Sequence, residues 1–208
     1  MRYDFIIRGG HVIDPERGID ETADIGITGN KIAEVSDEAE CGRIINAAGC
    51  YVFPGLIDFH THIYGNGSNC GVHADYLLAT GVTSAVDAGT AGSSNFDSFY
   101  CGTVVPSKVR IKSYLNMYGS GQIDYNIVEK FERCEYRKQD ILKVIDRYRD
   151  NILGLKIRMS KGVAKDIDAM DAMMEIAQEE GIGVWVHTSN PVVPLPEITE
   201  RLRAGDIY

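Results

Sequence analysis

From residue 52 onward the chain alternates short apolar runs with amphipathic segments, and this alternation limits the folds open to it more than any other feature. Residues 52–57, 82–86, 109–117, 153–157 and 183–187 have the length and apolar content of strands. Helical patterns lie between and after them. Residues 76–79 form a short helical segment closed by Gly81, and 96–104 form a second. Ile141, Val144, Ile145 and Tyr148 mark one helix face by three- and four-residue spacing, and Met170, Met173, Met174 and Ala177 mark another. The methionines read as core packing. Leu195, Ile198 and Leu202 give a last amphipathic helix, with Pro194 and Pro196 where helix entry tolerates proline. Five strand–helix units in succession predict an α/β fold with a parallel sheet and right-handed crossovers.

Before residue 52 the pattern is different. Residues 3–7 and 12–13 flank Gly9-Gly10, and residues 24–28 and 31–35 flank Gly29-Asn30; both pairs read as hairpin turns. Strands this short need a sheet partner. The expected organisation is a small β domain over 1–51 and an α/β domain over 52–208.

Both a barrel and an open doubly wound sheet fit that alternation. No Gly-x-Gly-x-x-Gly follows any predicted strand, which weighs against a dinucleotide fold. His62, Lys156 and His187 all fall near the C-terminal ends of their strands, where barrel enzymes place their chemistry.

Composition narrows the class of partner. A net charge of −9 disfavours nucleic acid, because a phosphate backbone calls for a basic face. No stretch approaches the ~20 apolar residues of a membrane helix, and the apolar run near the N-terminus is too short for a signal-peptide core. The five cysteines (Cys41, Cys50, Cys70, Cys101, Cys134) form no C-x-x-C pair and are odd in number, as expected of reduced thiols. A soluble, cytoplasmic protein acting on a small molecule, with no nucleic-acid or membrane partner, is the expectation.

The polar strand residues carry the chemistry. His60 and His62 stand two apart, so on a strand both imidazoles point to one side, a good arrangement for two ligands on one metal ion. In Leu153-Gly154-Leu155-Lys156-Ile157-Arg158, alternation puts Leu153, Leu155 and Ile157 on one face and Gly154, Lys156 and Arg158 on the other. A lysine facing a barrel interior is costly unless paired or neutralised. A neutral amine can take up carbon dioxide as a carbamate, whose two oxygens can bridge two metal ions. His187 ends Val184-Trp185-Val186-His187 and is the third strand-terminal histidine. Each residue alone has an ordinary explanation: a packed histidine, or a lysine that reaches solvent or pairs with a carboxylate. Their combination on three strands is the signal.

Pro54-Gly55-Leu56-Ile57-Asp58-Phe59-His60-Thr61-His62 resembles the signature that opens the barrel of the amidohydrolase superfamily. That group includes dihydroorotases, hydantoinases, aminoacylases and deaminases. Gly154-Leu155-Lys156 matches the position of the carbamylated lysine in binuclear members. Val186-His187-Thr188-Ser189-Asn190-Pro191 resembles the strand-five histidine of a deacetylase-like, dihydroorotase-related subgroup. The N-terminal segment resembles the small β-sandwich domain of many members.

The resemblance implies a partial TIM-type (β/α) barrel preceded by a β-sandwich segment. His60 and His62 would hold one zinc, His187 a second, and carbamylated Lys156 would bridge them. It implies hydrolysis of an amide, cyclic amide or acyl ester by a metal-bound hydroxide. Arg158 would meet a substrate carboxylate, and Tyr64 and Asn190 would line the pocket. His11 and His73 are expected to be structural or exposed.

The family pattern also needs a histidine after strand six and a general-base aspartate after strand eight. This sequence stops at Asp206-Ile207-Tyr208, where strand six is expected to begin, so no catalytic acid–base residue is assigned. Two alternatives stay open: a fragment or short form that binds metal or self-associates without turnover, and a mononuclear deaminase with unmodified Lys156. Open strand edges also predict a homo-oligomer.

Overall fold

The computed structural model describes residues 2–36, 40–133 and 136–208. Contacts divide the chain into two compact units, Met1–Leu56 and Ile57–Tyr208.

The first unit is all β. Strands β1 (Arg2–Asp14), β2 (Ile19–Thr28), β3 (Lys31–Glu34), β4 (Glu40–Asn46) and β5 (Tyr51–Val52) form one sheet. Its order is β3-β2-β1-β4, with β5 also paired to β1. The first two junctions are antiparallel, whereas β4 and β5 run parallel to β1. Gly29-Asn30 does turn between β2 and β3. Gly9-Gly10 does not turn the chain: β1 continues through it, with a register shift between Ile7 and Gly10. Gly9 adopts φ +70°, and its N–H donates to Asp24 Oδ1 at 2.8 Å. The glycine serves a bulge, in which an extra residue bends a strand without ending it. The first hairpin comes instead after Asp14, whose Oδ1 accepts from the N–H groups of Glu16 and Arg17. Tyr3, Ile6 and Val12 are the buried side chains of β1.

The second unit is the predicted α/β alternation. Strands β6 (Leu56–Thr61), β7 (Val82–Asp87), β8 (Arg110–Asn116), β9 (Ile152–Arg158) and β10 (Gly183–His187) lie side by side in chain order. The pairings β7–β8, β8–β9 and β9–β10 are parallel. Ile207 adds an isolated parallel bridge to Trp185. A 3-10 turn (Ala74–Thr80) and helices α1 (Phe96–Phe99, continued as a π turn over Tyr100–Val104), α2 (Lys138–Arg147), α3 (Asp168–Glu180) and α4 (Leu195–Thr199) connect or follow the strands. The result is a curled half-barrel of five parallel strands.

The sheet has two unlike faces. On one, Leu115, Leu155, Ile157, Val184 and Val186 join a core with Phe96 and Phe99 of α1, Ile141 and Ile145 of α2, and Met170, Met173, Ile176 and Ala177 of α3. The spacing of those helix residues is what puts them on one stripe. A separate cluster gathers Val86, Ala88, Tyr114 and Trp185, with Ile207 packed against it.

Two details depart from the sequence pattern. Leu153 is 37% exposed while Ile152 is buried in the core. A register irregularity opposite Ser113 and Tyr114 breaks the alternation at the start of β9. Helix α4 stops at Thr199, so Leu202 packs from a turn; the Thr199 hydroxyl donates to the carbonyls of Leu195 and Pro196, which competes with helical bonding. Cys41, Cys50, Cys70 and Cys101 are free thiols, and Cys134 lies outside the described residues.

Candidate metal centre

Three strand ends supply the site. His60 is near the end of β6, and His62 lies just beyond it; their ring centroids are 6.1 Å apart. Lys156 is the fifth residue of β9, and His187 closes β10. Trp185, two residues before His187, touches two of the other three. Its ring centroid lies 4.7 Å from the His60 ring and 4.3 Å from Lys156 Nζ.

Lys156 is the unusual member. It is 3% exposed, and among the described residues nothing accepts a hydrogen bond from its Nζ. Burial pulls its pKa down to about 8, helped by Arg158 and opposed by Asp87 and Glu129. A buried amine held near neutrality by its surroundings suits nucleophilic or ligand chemistry. Gly89 makes room for it: a Cβ there would lie 2.6 Å from Lys156 Cβ and Cγ, and its φ is +85°.

All three histidines have lowered pKa values, chiefly from burial, and Lys156 lowers each further. His187 also feels the charges of Arg158, His60 and His62. The four side chains therefore share one electrostatic environment that keeps imidazole in its neutral, lone-pair form. Neutral imidazoles and a buried, partnerless amine fit a divalent-metal site as a donor set. Lys156 is essential to that fit, because among the described residues no three His, Cys, Asp or Glu side chains gather closely enough to hold an ion by themselves.

The remaining predicted residues are placed as follows. Arg158 is half-buried, and its Nη1 donates to Glu129 Oε2 at 2.5 Å, so its charge is already partnered. Tyr64 is buried in the sheet–helix core edge-on to Phe99, not on an open pocket wall. Asn190 is exposed, and its carbonyl accepts from the Lys161 N–H. His11 belongs to the β unit and bonds Asp20 at 2.6 Å. His73 is exposed and precedes the 3-10 turn.

Sequence reasoning missed Asp87, Thr90, Glu129 and Trp185. Asp87 is fully buried at the end of β7, where its carboxylate accepts from the N–H groups of Ile63, Gly89 and Thr90. The signal was available: Asp87-Ala88-Gly89-Thr90 directly follows an apolar strand, at the same sheet end as the histidines. Glu129 sits in a loop without periodicity and left no such trace.

A scan against models of known protein families finds no match. Comparison with curated proteins finds a deacetylase of Agrobacterium fabrum, 31% identical over 196 residues, covering 89% of this chain and 48% of that protein. The chain thus spans about half the length of this curated relative. Among solved structures, a dihydroorotase aligns with a TM-score of 0.82 at 24% identity, over 98% of this chain and 56% of that one. An adenine deaminase aligns at 0.80 and 28% identity, over 99% of this chain and 56% of its own. The dihydroorotase likeness bears on fold alone.

Proposed function

The chain belongs to the amidohydrolase superfamily, and from that premise we propose that the open end of its half-barrel carries a zinc-dependent hydrolytic site for an amide, cyclic amide or acyl ester. The observation that carries the reading is Lys156, buried with a partnerless Nζ beside three histidines.

His60 and His62 would hold one ion and His187 a second, each through a neutral ring nitrogen. Lys156 would enter as a carbamate: its unprotonated Nζ bonds the carbon of carbon dioxide, a proton leaves the nitrogen, and the single negative charge that results is shared by two oxygens able to act as ligands. Bound zinc would supply Lewis-acid polarisation of the scissile carbonyl and acidify a water molecule. Glu129 pairs with the Arg158 guanidinium, and the Trp185 ring lies over the buried Lys156 amine and edge-on to the more exposed His60 imidazole. The substrate is a small molecule, neither nucleic acid nor membrane, and the protein acts in the cytoplasm as a homo-oligomer.

Elemental analysis after zinc loading, with a hydrolase assay on N-acetyl amino acids, tests this. Lys156→Ala is expected to lower zinc affinity at least tenfold. A protein loaded with 13C-bicarbonate should show a carbamate resonance that this variant lacks. Zinc binding indifferent to both Lys156→Ala and His187→Ala would overturn the reading. A deaminase reading draws support from the adenine deaminase likeness; release of ammonia from an aminopurine, with no carbamate resonance, would favour it.

A further inference from the structure

Asp87 and Thr90 lie directly behind His62, and their hydrogen bonds run in one direction. Three of the four donors to the Asp87 carboxylate are backbone N–H groups, which can only donate. Gly89 and Thr90 reach Oδ1 at 3.0 and 2.7 Å, and Ile63 reaches Oδ2 at 2.9 Å. The fourth is the Thr90 hydroxyl, 2.7 Å from Oδ2. A hydroxyl has one hydrogen and two lone pairs. With that hydrogen given to Asp87, Thr90 Oγ1 offers only lone pairs to His62 Nδ1, which lies 2.7 Å away.

We propose that Thr90, anchored by Asp87, fixes His62 in the tautomer that carries its hydrogen on Nδ1 and leaves Nε2 as a bare lone pair. Asp87 and Thr90 are therefore positioning residues for His62. That His62 is a metal ligand rests on the hydrolase reading above; its tautomer does not. The arrangement is selective. His60 makes no hydrogen bond through its ring among the described residues, and the His187 ring meets only the exposed Ser189 hydroxyl, at 3.0 Å through Nε2. Of the three histidines, only His62 is backed by a buried relay among the described residues. The same carboxylate also holds the main chain around His62, through Ile63 N–H, while Ala88 N–H donates to Thr61 O at 2.8 Å. Ring and backbone are locked by one buried group, which a metal ligand requires for a set direction of approach.

Long-range 1H–15N correlation of the imidazole nitrogens, recorded on the metal-free 208-residue chain above the histidine titration range, reads the tautomer directly. His62 is expected to show a protonated Nδ1 and an unprotonated Nε2. Thr90→Val removes the hydroxyl at nearly constant shape and should move the population toward the Nε2–H form; Thr90→Ser should restore the native pattern. Titration with zinc alone should then show affinity lowered roughly 10–100-fold in Thr90→Val and close to native in Thr90→Ser. An Nε2–H signal for His62 in the native chain, or a tautomer unmoved by Thr90→Val in a folded protein, would overturn the proposal. A native chain with the Nδ1–H signal that nevertheless binds no zinc would sink the hydrolase reading and leave the relay standing.

Discussion

Lys156 shows at the scale of one residue how a site can be built at the expense of stability. Its amine is charged in water, and the fold removes it from water without giving it an acceptor. In the metal-free chain the folded pKa of about 8 lies below the ordinary value of 10.5, so between those two the unfolded chain binds more protons than the folded one. The sign follows: this group destabilises the fold fully below pH 8, and its penalty is relieved as pH rises from about 8 toward 10.5. Lys156→Met removes the charge and keeps the length, and should raise metal-free stability at pH 7 by about 1–3 kcal/mol. The gain should shrink above pH 8, as denaturant titrations at several pH values would show. Equal stability of the two proteins at neutral pH would mean that the amine has found a partner. Behind it, Gly89→Ala would place a methyl only 2.6 Å from Lys156 Cβ and Cγ, at a φ of +85° that favours glycine. A loss of more than about 1 kcal/mol is expected, with zinc affinity lowered in parallel.

At the scale of elements, the later strands of the half-barrel are legible because their composition is simple, but the apolar run over 52–57 places its strand too early: β6 is Leu56–Thr61, and Tyr51–Val52 pairs with β1 instead. Of the two glycine turn signals, only Gly29-Asn30 marks a turn. Strand β10 matches its sequence pattern residue for residue, since Gly183 and His187 bound an unbroken apolar run. The α3 face was equally plain from its methionine spacing, and Met170 and Met173 are indeed fully buried. Met173→Ala should cost about 2–5 kcal/mol, read as a lower denaturation midpoint, because the sheet opposite cannot fill the cavity. Gly9-Gly10 misled because paired glycines mark a hairpin and a bulge alike; only the ladder with β2, continued through Asp14, decides between them. Of the site, the residues on strands could be foreseen from their positions near strand ends. Asp87, at the end of β7, offers the same kind of positional signal, whereas Glu129 does not, because its role depends on a contact with Arg158 twenty-nine residues away. Loop contacts of that kind leave no period in a sequence.

For the molecule as a whole, the two units differ in what they expose to a spectroscopist. The chain has one tryptophan, and Trp185 sits in the half-barrel with the Lys156 amine over its ring and the His60 ring at its edge. Far-ultraviolet dichroism follows backbone in both units, whereas indole emission follows this one site. An ammonium or an imidazolium in contact with an indole quenches it, and a neutral or anionic neighbour quenches less. Emission should therefore brighten when the pH is raised past 8, or at neutral pH on adding zinc with bicarbonate, and Lys156→Met should abolish most of the change. The fold thus carries its own optical gauge: a single lamp mounted against the reactive nitrogen, readable in unlabelled protein.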